Sequence, residues 1–308
     1  MAGMELCEPG ELYNILNQQR RLPRVAEPNY LCLLDARTQR EYDESHIIMA
    51  RRIEQSPTGE YLVPNSEELG CVRYCVVYDC ETSSLDCCDS EEEEKEEGTY
   101  AEEGTAVRHA RRLEHFTRRP VLVLRGGYRR FSACYHFLRT QKILWMPQEL
   151  DNFQLYPVEI LPAKLYMGNF KQACDQQIQK DLKIKAQVNI SEQPTTLFAE
   201  GSKYLHISVP DSLEANLYSF FPTICHFIDA WLDRGAVLVF SSLGISRSST
   251  AAMAYLMHSC QFSLKRAWNH VLKCKMNMRP HRGFVKQLSD WETRIYETTI
   301  TDISEPNY

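Results

Sequence analysis

The stretch from Val237 to Ser249 reads VLVFSSLGISRSS and joins an apolar run to small polar residues and an arginine. The apolar run predicts a buried strand, and the residues from Thr250 to Leu256 favour a helix. A short loop between a strand and a helix N-terminus presents backbone N–H groups and the positive end of the helix dipole to an anion. Arg247 adds a planar fork of donors that matches phosphate. The stretch therefore predicts a phosphate-binding loop.

The predicted ligands of the phosphate are the backbone N–H groups of this loop and the side chain of Arg247. They belong to eight consecutive residues, which are Ser241, Ser242, Leu243, Gly244, Ile245, Ser246, Arg247 and Ser248. A second interpretation stays open, in which the serines and Arg247 only satisfy polar groups of the loop backbone. Under that interpretation the loop is structural and no phosphoprotein binds there.

Short apolar segments alternate with helical patterns in both halves of the chain. Buried strands that alternate with helices usually form a parallel sheet flanked by helices, so we predict an α/β fold. Predicted strands lie at residues 30–34, 72–78, 121–124, 186–190, 204–209 and 237–240, and the second half opens with the short segments 159–161 and 165–168. Helical patterns cover residues 106–119, a segment from about Phe131, and residues 217–231, where apolar residues recur at spacings of three and four.

The two halves are predicted to be separate domains, because a stretch with two prolines and little periodicity lies between them. The predicted division is a first domain at 1–140 with an acidic, disordered insertion at about 79–104, a linker at 141–156, a second domain at 157–300 and a tail at 301–308. Residues 91–103 hold eight glutamates and one lysine, against a net charge of −6 for the whole chain. The remainder is close to neutral, so no nucleic-acid partner is expected.

Composition also bears on the cellular compartment. No apolar run approaches the roughly 18–20 residues that span a bilayer, so no membrane partner is expected. The N-terminus lacks the basic start and apolar core of a secretion signal, and twelve cysteines without such a signal indicate reduced thiols. We expect a cytoplasmic protein, and reduced thiols suit the nucleus and the mitochondrial matrix equally.

The spacing of Cys80, Cys87 and Cys88 does not suit a metal, and neither metal nor cofactor is predicted.

Several motifs of the second half occur in the order found in one known family. They are Ile160-Leu161-Pro162, Leu165-Tyr166-Met167-Gly168, Val188-Asn189-Ile190-Ser191, Val209-Pro210-Asp211, Gly244-Ile245-Ser246-Arg247-Ser248, Ala254-Tyr255-Leu256-Met257 and Gly283-Phe284 with Gln287-Leu288. On these motifs, residues from about 157 to 300 resemble the dual-specificity protein phosphatase domain. The resemblance implies a central sheet flanked by helices and a phosphoprotein as the ligand.

The first half is similar to the rhodanese-like domain that precedes the catalytic domain in MAP-kinase phosphatases. The matching motifs are Leu33-Leu34-Asp35-Ala36-Arg37, Glu41-Tyr42, Ser45-His46-Ile47 and Leu124-Arg125-Gly126-Gly127-Tyr128. In that family the domain docks kinases through clustered arginines. The arginine pairs that could do so here are Arg51-Arg52, Arg111-Arg112 and Arg118-Arg119, and ordinary solvated arginines stay the alternative.

Sulfur transfer is not expected of the first half. Rhodanese sulfurtransferases carry a reactive cysteine after the strand that Val121 to Leu124 matches, and this chain has Arg125 there. The next cysteine, Cys134, falls in the following helical stretch, and we interpret it as a small buried residue.

The phosphate loop departs from active members of the family at its first two positions. Active members carry His-Cys there: the thiolate attacks phosphorus, and an aspartate protonates the leaving group. By position Phe240 replaces the histidine and Ser241 the cysteine, whereas Arg247 and Ser248 are retained and Asp211 matches the general acid. A serine lacks the low pKa that makes a cysteine thiolate available at neutral pH, and it needs a neighbouring base.

On this ground we predict a pseudophosphatase, a chain that is not an enzyme and has no catalytic residue. It would bind phosphoproteins or regulate active protein phosphatases and MAP-kinase signalling. The alternative is a weak protein phosphatase that uses a mechanism from outside the family.

Two positions at the edge of the predicted site carry further expectations. Asp211 has a structural alternative as a turn or N-cap residue before a helix that begins near Ser212. His281 and Arg282 stand where relatives often have asparagine and a small residue, so the rim of the pocket is expected to differ.

Overall fold

A computed structural model describes residues 3–85, 104–144, 147–150, 153–195, 201–304 and 308. Its contacts divide the chain into two units, the first with residues 1–16 and 21–153 and the second with residues 17–20 and 154–308. The glutamate-rich stretch 91–103, Cys87 and Cys88 lie outside the described residues, and so does most of the predicted acidic insertion.

The first unit contains a parallel sheet flanked by helices. Its strands are β1 (Met4–Cys7), β2 (Leu31–Asp35), β3 (His46–Ile47), β4 (Arg51–Arg52), β5 (Glu54–Gln55), β6 (Tyr61–Val63), β7 (Tyr74–Tyr78), β8 (Val121–Leu124) and β9 (Arg139–Thr140). Its helices are α1 (Pro9–Leu16), α2 (Gln39–Glu44), α3 (Ser66–Cys71), α4 (Thr105–Leu113) and α5 (Gly127–Cys134). The five-stranded sheet has the order β1-β8-β7-β2-β4, with parallel neighbours. The pairs β3-β9 and β5-β6 are antiparallel.

The second unit contains a mixed sheet that is parallel in four of its five strands. Its strands are β10 (Val158–Leu161), β11 (Leu165–Asn169), β12 (Ile184–Asn189), β13 (Lys203–His206) and β14 (Ala236–Ser241). Its helices are α6 (Phe170–Ala173), α7 (Gln176–Asp181), α8 (Phe221–Leu232), α9 (Arg247–Ser259), α10 (Leu264–Cys274) and α11 (Arg282–Tyr296). The order is β10-β11-β14-β12-β13, with β10 antiparallel to β11 and the other neighbours parallel. Short 3-10 helices lie at Arg24–Ala26, His136–Leu138, Pro147–Leu150 and Tyr218–Phe220.

The α/β prediction is confirmed in both units, and element ends differ by a few residues. Helix α8 begins at Phe221 rather than near Leu217, because Pro222 lies in its first turn, where a missing N–H removes no helical bond. None of the helices in the described part of the chain combines the length and the apolar character that a bilayer crossing requires.

Helix α9 is the central helix of the second unit. It is buried from Arg247 to Met257 and packs against α8, α10, α11 and β14. Strand β14 is also buried along its whole length, between β11 and β12. The loop between β14 and α9 is therefore held at both ends by buried elements, which fixes its position at the carboxyl edge of the parallel strands.

Candidate functional site

The phosphate loop runs from Ser241, the last residue of β14, to Arg247, the first residue of α9. Its tightest point is Gly244, which has a φ of +68°. A side-chain carbon at this position would lie 2.5 Å from the carbonyl oxygen of Gly168 in β11. A left-handed conformation and a close backbone approach both favour glycine, so Gly244 lets the loop fold back against the sheet.

Ser241 lies at the position that the family comparison gives to the nucleophile. Its side chain is 2% exposed, and its hydroxyl donates to Ser248 Oγ at 3.1 Å. The same oxygen accepts the backbone N–H of Gly244 at 3.2 Å. Neither contact is a base, so the described residues in hydrogen-bond contact with Ser241 do not activate its hydroxyl. The residue instead ties the start of the loop to its centre and to the first turn of α9.

Phe240 is fully buried in the sheet, and its ring meets that of Phe170 edge-on, with the centroids 6.1 Å apart. An edge-on pair of aromatic rings stabilises by packing. At this position the chain therefore contributes apolar contact and has no imidazole that could pair with a nucleophile.

Arg247 is 6% exposed. Its Nη1 donates to the carbonyl oxygen of Val209 at 2.7 Å, and its Nη2 donates to Ser242 Oγ at 3.0 Å. The remaining donor, Nε, is buried and makes no hydrogen bond within the described residues. Nε lies 3.9 Å from Asp211 Oδ2, too far for a hydrogen bond. The guanidinium thus has one buried N–H without a partner.

The backbone of the loop presents further donors. In the described residues, the N–H groups of Ser242, Leu243, Ile245 and Ser246 have no hydrogen-bond partner. They precede the N-terminus of α9, a buried helix of 13 residues. N–H groups without partners on both sides of Gly244, just before a helix start, attract anions, so the eight predicted loop residues remain the candidate ligands of a phosphate.

Asp211 lies in an irregular turn beside the loop. Its Oδ1 accepts the hydroxyl of Ser246 at 2.8 Å, and the side chain is 40% exposed. No helix begins near Ser212, where residues 211–214 form bends and turns, so the alternative of a helix N-cap is wrong. The hydroxyl of Ser246 holds the carboxylate at the rim of the loop, and no local sequence pattern indicates this contact.

His281 is the second rim residue, at the start of α11. Its Nε2 is buried, lies 3.5 Å from Asp211 Oδ1 and makes no hydrogen bond within the described residues. Burial lowers the pKa of this imidazole, although the charges of Asp211 and Glu214 act in the opposite direction. Arg282 lies outside the site, and its Nη1 donates to the carbonyl oxygen of Ile303 at 3.2 Å.

The loop after β8 in the first unit has a different character. The N–H groups of Gly126, Tyr128 and Arg129 donate to carbonyl oxygens of residues 79–82, at 2.7–3.0 Å. A neighbouring segment of the chain therefore occupies the donors that a ligand of this loop would need. Cys134, at the end of α5, is exposed, so its interpretation as a buried residue is wrong: the eight-residue helix buries only Gly127 and Phe131.

The predicted arginine pairs differ in their surroundings. Arg51 pairs with Glu68 at 2.5 Å, and Arg52 donates to Gln39 Oε1 at 2.7 Å. The other four, Arg111, Arg112, Arg118 and Arg119, are exposed. Cys80 is a free, exposed thiol, and the described residues contain no group of three or more side chains able to hold a metal ion.

Several known proteins are similar to this chain over the domain that contains the loop. The model of the dual specificity phosphatase catalytic domain matches residues 165–294. Human dual specificity protein phosphatase 4 is 30% identical over 279 residues, which cover 82% of this chain and 68% of the relative. Human dual specificity protein phosphatase 5 is 38% identical over 144 residues, 46% of this chain and 37% of the relative. A probable rhodanese domain-containing dual specificity protein phosphatase of Dictyostelium discoideum is 30% identical over 190 residues, 59% of this chain and 40% of the relative.

The phosphate loop and the mixed sheet thus belong to a phosphatase-type domain. The chain is a member of the dual specificity protein phosphatase family. It spans only 36–40% of the length of several of the relatives it matches, including the last two described above.

These comparisons correct one prediction. The conclusion that the chain is not an enzyme is contradicted, because the matching model is that of a catalytic domain and the relatives are named phosphatases. The prediction rested on Phe240 and Ser241 alone. The family match rests on residues 165–294 as a whole rather than on these two positions.

Proposed function

We propose that this member of the family binds phosphorylated side chains of proteins at the loop from Ser241 to Ser248 and thereby regulates phosphoprotein signalling. The observation that carries the proposal is the buried Nε–H of Arg247, which has no partner in the described residues. An unpaired buried donor of a charged group costs on the order of 1–3 kcal/mol or more. An oxyanion bound at the loop would supply the missing acceptor.

The contacts of Arg247 favour phosphate as that oxyanion. Nη1 is held by the carbonyl oxygen of Val209, which leaves the edge formed by Nε and Nη2 for a ligand. Nη2 now donates to the hydroxyl of Ser242, a group that can rotate to another partner. Two parallel N–H donors on one edge suit a bidentate contact with phosphate, and the free N–H groups of the loop add donors around the remaining oxygens.

The proposed partners are phosphoproteins, and active protein phosphatases or MAP kinases that share those phosphoproteins. Binding at the loop would withhold a phosphorylated residue from other enzymes. The exposed arginines Arg111, Arg112, Arg118 and Arg119 offer positive charge for an acidic partner surface. This role of the arginines is separate from phosphate binding and is tested separately, by replacing all four with glutamine.

The second candidate function is hydrolysis of the bound phosphoester, and the match to a catalytic domain favours it. The family's cysteine mechanism needs a thiolate, which Ser241 does not provide. Hydrolysis would therefore follow another route, as a weak protein phosphatase activity. Asp211 would be available as a proton donor at the rim, because Ser246 holds its carboxylate there.

One experiment separates the two candidates. Fluorescent peptides that differ only in carrying phosphoserine, phosphothreonine, phosphotyrosine or no phosphate are titrated with the wild-type chain and with Arg247→Lys. Lysine keeps the positive charge but loses the fork. Binding that requires both the phosphate and Arg247 supports the proposal, and equal binding of the unphosphorylated peptide contradicts it.

Phosphate release is measured in the same samples, beside Ser241→Cys and the double variant Phe240→His with Ser241→Cys. Wild-type release that is faster than peptide dissociation would make hydrolysis the main function. A gain of activity in the variants would show that the remaining donors can support the thiolate mechanism. Because Phe240 is buried, the single variant is the control for a loss of stability in the double one.

A further inference from the structure

His281 is fixed by the start of helix α11. It is the N-cap residue, and its Nδ1 accepts the backbone N–H of Phe284 at 3.3 Å. The imidazole also stacks on the ring of Phe284, with the centroids 3.8 Å apart and the planes at 26°. Both contacts hold the ring in one orientation, because a stacked and hydrogen-bonded ring cannot turn without losing them.

The capping bond also determines which nitrogen carries the proton. A neutral imidazole has one donor and one acceptor nitrogen. Since Nδ1 accepts the N–H of Phe284, the neutral ring carries its proton on Nε2. Protonation of Nδ1 would place two donors against each other and break the cap. Burial favours the neutral ring as well, since it lowers the pKa of His281 against the opposing charges of Asp211 and Glu214.

The Nε2–H of His281 and the Nε–H of Arg247 both face the carboxylate of Asp211. Nε2 is 3.5 Å from Asp211 Oδ1, and Arg247 Nε is 3.9 Å from Asp211 Oδ2. Both nitrogens are buried and make no hydrogen bond in the described part of the chain. The segment before His281 is also tied to the loop, because the N–H of Arg279 donates to the carbonyl oxygen of Ile245 at 3.0 Å.

We propose that His281 is a second side-chain donor of the phosphate site, which gives a neutral Nε2–H to an oxygen of the bound phosphate. The inference rests on the proposed function and adds a second phosphate-binding side chain to it. Two buried donors that have no hydrogen-bond partner among the described residues lie beside the same carboxylate, and the oxygens of one phosphate group can accept from both. Because the donor is neutral, its contribution does not depend on proton uptake near neutral pH.

The test is a calorimetric titration of the whole chain with tungstate, a tetrahedral oxyanion, in wild type, His281→Asn and His226→Asn. Asparagine is a favoured N-cap residue, so His281→Asn keeps the cap of α11 but is too short to replace Nε2. His226 is exposed on α8, so His226→Asn makes the same chemical change away from the loop. We expect His281→Asn to weaken tungstate binding roughly tenfold, as for one lost hydrogen bond to a charged group, and His226→Asn to leave it unchanged.

Two results would overturn the inference and leave the proposed function standing. In the first, His281→Asn binds tungstate like wild type, whereas Arg247→Lys does not. In the second, wild type binds sulfate more tightly at about pH 6 than at about pH 8 and His281→Asn abolishes the difference, which would assign binding to the charged imidazolium. Failure of wild type to bind either anion would instead contradict the proposed function.

Nuclear magnetic resonance of the histidine rings gives an independent readout. We expect the ring nitrogens of His281 to show a proton on Nε2 in the free chain and a shift of that nitrogen when tungstate is added. A proton on Nδ1, or no shift of Nε2 at saturating tungstate, would contradict the assignment.

Discussion

Replacing Gly244 by alanine perturbs the phosphate loop without touching any of its donors. Two physical effects add at this position. The φ of +68° is a left-handed conformation, which costs an alanine about 1–2 kcal/mol. The new carbon would also lie 2.5 Å from the oxygen and 2.7 Å from the carbon of the Gly168 carbonyl. These are backbone atoms of β11, which pairs with β10 on one side and β14 on the other, so the loop rather than the strand must move.

The size of the effect follows from a matched control. Gly201 has a φ of +82°, and among the described residues nothing lies within 4 Å of the position of an added carbon. Gly201→Ala therefore carries the conformational cost alone, about 1–2 kcal/mol. Gly244→Ala adds the cost of relieving the overlap, typically about 1–3 kcal/mol. We expect it to lower the free energy of unfolding by about 2–5 kcal/mol and, because the loop N–H groups move, to weaken tungstate binding as well.

The assay is urea unfolding followed by tryptophan fluorescence, combined with tungstate titration of the folded proteins. Three of the four tryptophans, Trp231, Trp268 and Trp291, lie in the second unit, so the fluorescence reports mainly the unit that contains the loop. Equal destabilisation by the two substitutions, together with unchanged tungstate affinity of Gly244→Ala, would refute the argument that backbone approach shapes the site.

Two further predictions concern buried and exposed acidic groups. Glu292 is fully buried and accepts four hydrogen bonds, two of them from Thr301. Glu292→Gln turns one acceptor oxygen into a donor, so we expect the free energy of unfolding in urea to fall by about 3 kcal/mol. An unchanged free energy of unfolding would contradict this prediction. Burial and the hydrogen bond to Glu41 raise the pKa of the Cys80 thiol to about 11. The fraction of Cys80 present as the thiolate, which reacts with iodoacetamide, therefore increases with pH up to about 11. Glu41→Gln should speed the alkylation of Cys80 at neutral pH, measured by mass spectrometry. An equal rate in wild type and Glu41→Gln would contradict the role of Glu41.

The strand, loop and helix around Gly244 could be predicted from the sequence because their signals are local. An apolar run, a glycine among small polar residues and a helix-forming stretch occupy consecutive positions, and each pattern reflects its own backbone preference. The fold class followed for the same reason, since the alternation of buried strands and helices is visible along the chain. These local patterns placed the loop between a strand that ends at Ser241 and a helix that begins at Arg247, whereas phosphate binding by its eight residues stays a prediction.

Contacts between distant segments could not be predicted in this way. The residues next to Asp211 favour a helix start, but its carboxylate instead accepts the hydroxyl of Ser246, 35 positions further on. Arg247 is anchored by the carbonyl oxygen of Val209. Every residue has a backbone carbonyl, so the residue type at position 209 does not indicate this contact. The occupation of the first unit's loop by residues 79–82 is likewise a backbone contact.

The central claim is that the loop binds phosphate through Arg247, and calorimetric titration with tungstate tests it most directly. Wild type, Arg247→Lys and Lys286→Gln are compared; Lys286 is exposed on α11 and pairs only with Asp290 among the described residues. We predict binding by wild type and by Lys286→Gln, and a loss of roughly tenfold to a hundredfold in Arg247→Lys, as for one or two charge-assisted hydrogen bonds. Wild type that does not bind tungstate, or Arg247→Lys that binds it equally well with unchanged stability, would contradict the account.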